Sequence, residues 1–164
     1  MCSRTGVPSN WDLLVRIAVG FGLAFTIGFE RELRGAPAGD RTFSLVGGTI
    51  AGMTAILWKT SPQAVAGALT GIGFIGAGVV LQSENVFVRG ITTAAAIFAT
   101  AAVGIIVGTG YLLLGAITTA AIIVTLELRN LPFLKLLDAR RYAARFRNDF
   151  DPPSELGHRH HPEG

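Results

Sequence analysis

Charged residues and cysteine are both scarce in this chain. Only 15% of its 164 residues are charged, and its single cysteine, Cys2, excludes an internal disulfide bond. Half of the residues are hydrophobic and the mean hydropathy is +0.50, whereas about a quarter of a typical soluble domain is charged. This composition excludes a disordered chain and a protein that coats nucleic acid. It predicts an all-α integral membrane protein with no nucleic-acid partner.

Long apolar runs predict a bundle of about five transmembrane helices. A spanning helix needs roughly 17 to 25 mainly apolar residues. Five segments are of this kind: Trp11–Phe29, Phe43–Trp58, Ala64–Leu81, Ile91–Val107 and Tyr111–Leu128. The last two share one charge-free stretch that is too long for a single helix, so we predict a turn at Gly108–Gly110. Arg16 lies near the start of the first segment, and we expect it to extend to the membrane interface.

Basic residues are distributed unevenly around these segments. If all five cross the membrane, eleven of the 14 lysines and arginines lie on one side: Arg31, Arg34, Arg41, Arg89, Arg129, Lys135, Arg140, Arg141, Arg145, Arg147 and Arg159. The other side has only Arg4, Arg16 and Lys59. Because cytoplasmic loops are rich in basic residues, this bias predicts an N-terminus outside the cell and a C-terminus in the cytoplasm.

The remainder of the chain is more polar. We divide the sequence into a transmembrane domain (1–128), a basic juxtamembrane helix (129–150) and a disordered tail (151–164). In the middle part apolar residues recur at helical spacing opposite basic ones, which is typical of an amphipathic helix lying on an anionic membrane surface. The three histidines of the tail make a metal-binding segment a distant second interpretation.

The loop between the first two segments, Gly28–Thr42, concentrates charged residues. Glu30 and Arg34 are four positions apart and can pair on one helical face. A stripe of small residues at intervals of four leads toward Glu32. Arg41 precedes the second segment, and we expect its guanidinium to tie the first two helices together through a forked contact with Glu30 or Glu32.

Composition alone leaves two interpretations of this loop open. It is either a turn that anchors topology or a packed polar cluster that binds an ion or a partner. Its carboxylates suit Mg²⁺, but the neighbouring arginines favour a salt-bridged network or a docking surface. A second charged loop lies on the same side of the membrane. The candidate functional cluster is therefore Glu30, Arg31, Glu32, Asp40, Arg41, Thr42, Glu84 and Arg89.

Glycine is abundant, with 21 residues, and several lie at intervals of four within apolar segments. Such spacing lets helix backbones approach closely. It predicts helix packing at Gly20, Gly28, Gly67, Gly71, Gly73, Gly76, Gly78, Gly104 and Gly108. The third segment is the richest in glycine, and a locally unwound helix lining a substrate path is its alternative interpretation.

Residues for catalysis are not evident in the sequence. No predicted segment has an Asp, Glu, Lys or His near its middle, as a proton relay or an ion-coupled carrier needs. A Ser/His/Asp set, an HExxH motif and a Cys/His cluster are also missing from the sequence. We expect no enzyme activity and no cofactor, with Mg²⁺ binding left open.

Taken in order, three motifs resemble the MgtC/SapB family of bacterial inner-membrane proteins. The matching residues are Gly28, Glu30, Arg31, Glu32, Ala38, Gly39, Arg41 and Thr42; then Gly71, Gly73, Phe74, Gly76, Ala77 and Gly78; and then Thr92, Thr93, Ala94, Ala95, Ala101, Gly104, Gly108, Gly110 and Tyr111. The resemblance covers about Leu13–Leu128. It implies a multi-pass inner-membrane protein linked to Mg²⁺ limitation and, in pathogens, to survival inside host phagocytes.

The resemblance also implies a mode of action. Members are often labelled Mg²⁺ transporters, but the family picture is of a regulator that acts on other membrane proteins, including the proton-translocating ATP synthase. This chain departs from the pattern at Asp40, where an apolar residue is usual, and at Phe43, where a His is common. Longer members also carry a soluble cytoplasmic domain, which this polar tail is too short to form.

The leading hypothesis is a membrane protein that modulates partner proteins or Mg²⁺ homeostasis. Its rivals are a divalent-cation transporter and a structural membrane subunit. The expected partners are the lipid bilayer and other membrane proteins, with a homo-oligomer left open.

Overall fold

The computed structural model describes residues 9–81 and 89–128. These residues form five α-helices and no strand: α1 (Asn10–Leu33), α2 (Asp40–Leu57), α3 (Pro62–Leu81), α4 (Arg89–Gly108) and α5 (Leu112–Glu127). Each helix overlaps one predicted segment, so the predicted all-α bundle is confirmed. The helix predicted at 129–150 and the tail at 151–164 lie outside the described residues. The first compact unit of the chain is Met1–Leu126, and the second begins at Glu127.

The helix ends follow local sequence signals. Ser9 caps α1, because its side chain accepts a hydrogen bond from the amide of Asp12 at 3.3 Å. At the other end of α1, Gly35 adopts a φ of +64°, a conformation that favours glycine. α3 begins at Pro62, where the missing amide proton removes no helical bond. The predicted turn between α4 and α5 is confirmed, and Gly110 there has a φ of +102°.

The distribution of side chains is that of a membrane protein. Three helical stretches are long and apolar enough to cross a membrane: Asn10–Leu33, Pro62–Val80 and Gly90–Gly108. Large apolar side chains point outward, including Phe74, which is 84% exposed, and Leu113, which is 76% exposed. The hydroxyl of buried Thr100 donates to the carbonyl of Ala96 within its own helix, at 2.9 Å. An apolar outer surface around a core of small residues and threonines suits a lipid environment.

Glycine brings α1, α2 and α4 into close contact. An added Cβ on Gly28 would lie 2.7 Å from the Cα of Asp40. An added Cβ on Gly104 would lie 2.7 Å from the carbonyl oxygen of Gly47, and one on Gly108 would lie 2.6 Å from the carbonyl oxygen of Ala51. Gly20 likewise has no room for a Cβ, because Ala51 occupies that space. Four of the predicted packing glycines therefore lie at the closest helix contacts.

The glycines of α3 behave differently. Gly76 packs on Ala94 of α4, with 3.5 Å between an added Cβ and the Ala94 Cβ. At the other four predicted positions an added Cβ meets no other helix of the described residues within 4 Å: Gly67, Gly71, Gly73 and Gly78. Within this part of the chain the packing prediction is therefore wrong at these four, because α3 lies at the edge of the bundle. The unwound-helix alternative is also wrong, since α3 is a continuous helix.

Candidate functional site: a polar junction between α1, α2 and α4

Charged and hydroxyl side chains meet where the end of α1 approaches the starts of α2 and α4. We call this set the polar junction: Glu30, Arg31, Glu32, Arg34, Asp40 and Thr93. Three of its carboxylates and two of its arginines come from the loop that the sequence singled out. Thr93, from the second turn of α4, completes it.

Glu30 is the buried acid of the polar junction, with 9% of its surface exposed. Its Oε1 pairs with the Nε of Arg34, one helical turn along the chain, and this confirms the predicted pair. The other oxygen, Oε2, is buried and accepts no hydrogen bond in the described part of the chain. A buried carboxylate oxygen without a donor is energetically costly, so Oε2 is the natural acceptor for any donor or cation that enters the junction.

Arg31 links α1 to α4. Its Nη2 donates to the hydroxyl oxygen of Thr93 at 2.9 Å, and Thr93 is fully buried. A hydrogen bond from a charged donor contributes about 1.5–3 kcal/mol, so this contact helps to fix the end of α1 on α4. No local sequence signal predicts this contact, because the two residues are 62 positions apart.

Glu32 reaches from α1 to the first turn of α2. Its Oε2 accepts a hydrogen bond from the amide of Asp40 at 3.1 Å, and the Asp40 carboxylate accepts one from the amide of Arg41 at 2.6 Å. Both bonds satisfy amides that lack a helical partner, and both place negative charge at the positive end of the helix dipole. Gly39 makes room for the first contact, because an added Cβ would lie 2.6 Å from Glu32 Oε2.

Arg41 does not make the contact that we predicted. It is exposed at the start of α2, and its guanidinium has no partner in the residues that the structure describes. The prediction of a forked contact with Glu30 or Glu32 is wrong among the described residues: Glu30 pairs with Arg34 instead, and Glu32 accepts from the amide of Asp40. Arg41 and Thr42 instead form the exposed side of the junction.

The second charged loop falls largely outside the structure. Glu84 lies among the undescribed residues 82–88, and for Arg89 only the backbone, which begins α4, is described. Their predicted place in the functional cluster therefore stays a prediction.

A cluster of buried apolar side chains supports the polar junction. Phe43 is fully buried and packs in one cluster with Ile27 and Ala38. An added Cβ on Gly28 would lie 2.8 Å from the Phe43 Cβ, so the absence of a side chain at Gly28 lets α2 lie directly on α1.

Chemically, the polar junction is a network of paired donors and acceptors. Within the described ranges, no three His, Cys, Asp or Glu side chains are grouped as a metal site would require. The acidic side chains of the loop contact an arginine or a backbone amide. This arrangement joins three helices and leaves one buried oxygen, that of Glu30, open.

The fold and the apolar outer surface define an all-helical integral membrane protein. Its residues 17–132 match the model of the MgtC family, which is more than half of the 164 residues. The chain belongs to the MgtC family. The resemblance that the three motifs carried is thereby confirmed.

Named relatives agree with this assignment. The chain is 36% identical to protein MgtC of Brucella abortus over 143 residues, covering 83% of this chain and 57% of that protein. It is 36% identical to protein SrpB of Synechococcus elongatus over 137 residues, covering 72% of this chain and 75% of that protein. Identity to protein SapB of Bacillus subtilis is 28% over 113 residues, covering 61% of this chain and 49% of that protein.

The chain spans little more than half of the length of several relatives. Its match to the Brucella protein, for example, covers 57% of that protein. No solved structure gives a significant match to it.

Proposed function

We propose that this protein supports bacterial adaptation to low Mg²⁺ by modulating other proteins of the inner membrane, and that the exposed side of the polar junction binds the partner. The observation that carries this proposal is that the acids of the loop are already engaged with Arg34 and with backbone amides. Such a network holds three helices in one arrangement. It leaves Arg41 and Thr42 exposed beside it. A partner that binds there contacts the helices in that arrangement. The proton-translocating ATP synthase is a candidate partner by family resemblance.

The proposed topology has five crossings, with the N-terminus outside and the polar junction at the cytoplasmic end. The basic residues of the loops support it, and so does the contact between Arg31 and Thr93, because successive crossings bring the end of α1 beside the start of α4. Reporter fusions after Leu128 and in the loop before Pro62 test this topology. They are expected on opposite sides of the membrane, and finding both on one side would contradict it.

Site-specific photo-crosslinking tests the partner proposal. A photoreactive residue at Thr42 is expected to capture a defined membrane protein in bacteria grown at low Mg²⁺. The matched control is Thr60, which is exposed just beyond the opposite end of α2 and should capture no such protein. Equal capture from both positions, or none from either, would contradict a partner-binding surface at the polar junction.

A second candidate function, transport of a divalent cation, is favoured by one observation. Glu30 Oε2 is buried and has no hydrogen-bond donor in the described residues, as an oxygen reserved for a cation would be. Purified protein in vesicles that contain an Mg²⁺ reporter separates the two functions. Selective Mg²⁺ flux that is lost in Glu30→Gln would replace modulation by transport. With neither flux nor a partner, the structural-subunit hypothesis would stand.

A further inference from the structure

Arg16 lies on α1, far along the chain from α4, yet its side chain contacts the end of α4. Its Nη1 donates to the carbonyl oxygen of Gly108 at 2.9 Å, and its Nη2 pairs with Asp12 Oδ2 at 2.5 Å. Only 17% of the Arg16 side chain is exposed, against 42% for Asp12. The guanidinium that we expected to reach the membrane interface thus binds a carbonyl of its own protein.

The end of α4 explains why a carbonyl is available there. Three backbone bonds close this helix, from the amides of Thr109, Tyr111 and Gly110 to the carbonyls of Ile105, Ile106 and Val107. This is the pattern of a Schellman motif, with Gly110 in the left-handed conformation. The last carbonyl of the helix, that of Gly108, projects beyond these bonds and is satisfied by Arg16. A cation at the negative end of a helix dipole is also favourable.

The guanidinium also packs against the turn itself. An added Cβ on Gly110 would lie 3.1 Å from the Cζ of Arg16. The end of α1 offers a natural comparison, because Gly35 closes it in the same way, with a φ of +64°. An added Cβ on Gly35 would meet nothing within 4 Å. Of the two left-handed glycine turns, the one between α4 and α5 is thus the one held by a side chain from another helix.

We propose that Arg16 is a conformational latch: Asp12 orients its guanidinium, which closes the end of α4 and fixes the turn between α4 and α5 onto α1. The turn leads directly into α5, which begins at Leu112. Gly115 of α5 lies against Val107 of α4, so a change in the turn alters how α5 packs. The latch therefore sets the position of α5 from the opposite end of the bundle to the polar junction. This proposal does not depend on which partner or ion the junction binds.

Hydrogen–deuterium exchange of the full protein in lipid nanodiscs tests the latch. In Arg16→Gln, amide exchange in the peptide that spans 105–112 is expected to rise about tenfold or more, which corresponds to a loss of about 1.4 kcal/mol of local stability. Exchange at 32–36, the comparison turn, should not change. Unchanged exchange at 105–112 would overturn the proposal, and so would an equal rise at both turns, which would report general loosening.

A second experiment tests the contact between Arg16 and the turn without measuring amide exchange. Gly110→Ala and Gly35→Ala both place a side chain at a positive φ, of +102° and +64°, but only the first also meets the guanidinium. We expect Gly110→Ala to lower the melting temperature further than Gly35→Ala in the parent protein. With Arg16→Gln present the gap between the two should narrow to the part that the different φ angles cause, because the added Cβ has no guanidinium to meet. An undiminished gap in that background would overturn the latch.

Discussion

Gly28 has no room for a side chain, and Gly28→Ala measures what this close contact contributes. An added Cβ would lie 2.7 Å from the Cα of Asp40, 2.8 Å from the Cβ of Phe43 and 3.0 Å from the carbonyl oxygen of Gly39. Two of these neighbours are backbone atoms, which cannot rotate away. The extra methyl group therefore has to push the start of α2 off α1. Overpacking of this kind costs about 1–3 kcal/mol.

The same substitution also raises helix propensity by about 1 kcal/mol, and a control is needed to separate the two effects. Gly22 lies on the exposed side of the same helix, where an added Cβ meets no described atom within 4 Å. Gly22→Ala should be neutral or stabilising. Because the propensity gain is common to both variants, the difference between their unfolding free energies reports overpacking alone, and we expect about 1–3 kcal/mol.

Unfolding in mixed micelles of increasing denaturing-detergent fraction, followed by circular dichroism, gives this difference. Gly67→Ala on α3, which also meets nothing within 4 Å of an added Cβ in the described residues, should behave like Gly22→Ala. Equal stability of Gly28→Ala and Gly22→Ala would refute the close contact between α1 and α2. The polar junction would then need another basis, because the contact at Gly28 positions the amide that Glu32 binds.

Two further measurements follow from the contacts around the junction. A double-mutant cycle with Arg31→Gln and Thr93→Val should give a coupling free energy of about 1.5–3 kcal/mol, which is the range for a hydrogen bond from a charged donor. If the two substitutions change the unfolding free energy additively, the 2.9 Å contact contributes nothing. Phe43→Ala should cost about 3–5 kcal/mol because the ring is fully buried. Leu45 of the same helix is 62% exposed, so Leu45→Ala should lower the unfolding free energy in detergent much less. Similar losses of unfolding free energy in the two variants would contradict the placement of Phe43 in the core.

The sequence predicted the helices well because their signals are local. Apolar runs, glycine turns and the proline at Pro62 act within one or two helical turns, and the observed bounds differ from the predicted segments by a few residues. The pair of Glu30 and Arg34 was predictable for the same reason, since four positions on one helix bring side chains together.

Contacts between helices were predictable only in part. Spacing by four identified small faces on α1, α3 and α4, but it carries no information about which face meets another helix. The faces of α1 and α4 are at closest contacts, whereas most glycines of α3 are open among the described residues. Gly47 and Ala51 of α2 follow the same spacing and were missed, although both lie at helix contacts.

The arginines show a second limit of the sequence. Arg16, Arg31 and Arg41 all lie near helix ends, and the positive-inside rule counts each of them only by its side of the membrane. The structure distinguishes them by their acceptors: a helix-terminal carbonyl for Arg16, a threonine hydroxyl for Arg31 and none in the described residues for Arg41. Only the tertiary fold brings these acceptors within reach.

The two bound arginines together define how α1 and α4 are arranged. Arg16 contacts Gly108 and Arg31 contacts Thr93, so the contacts are 15 positions apart on both helices. At 1.5 Å per residue that is about 22 Å, most of the length of a membrane span. Equal spacing in opposite chain directions requires antiparallel helices that cross at a shallow angle, since steeply crossed helices meet at one point. Two arginine contacts so far apart therefore hold α1 and α4 in a single alignment, which a single contact would leave free to change its crossing angle.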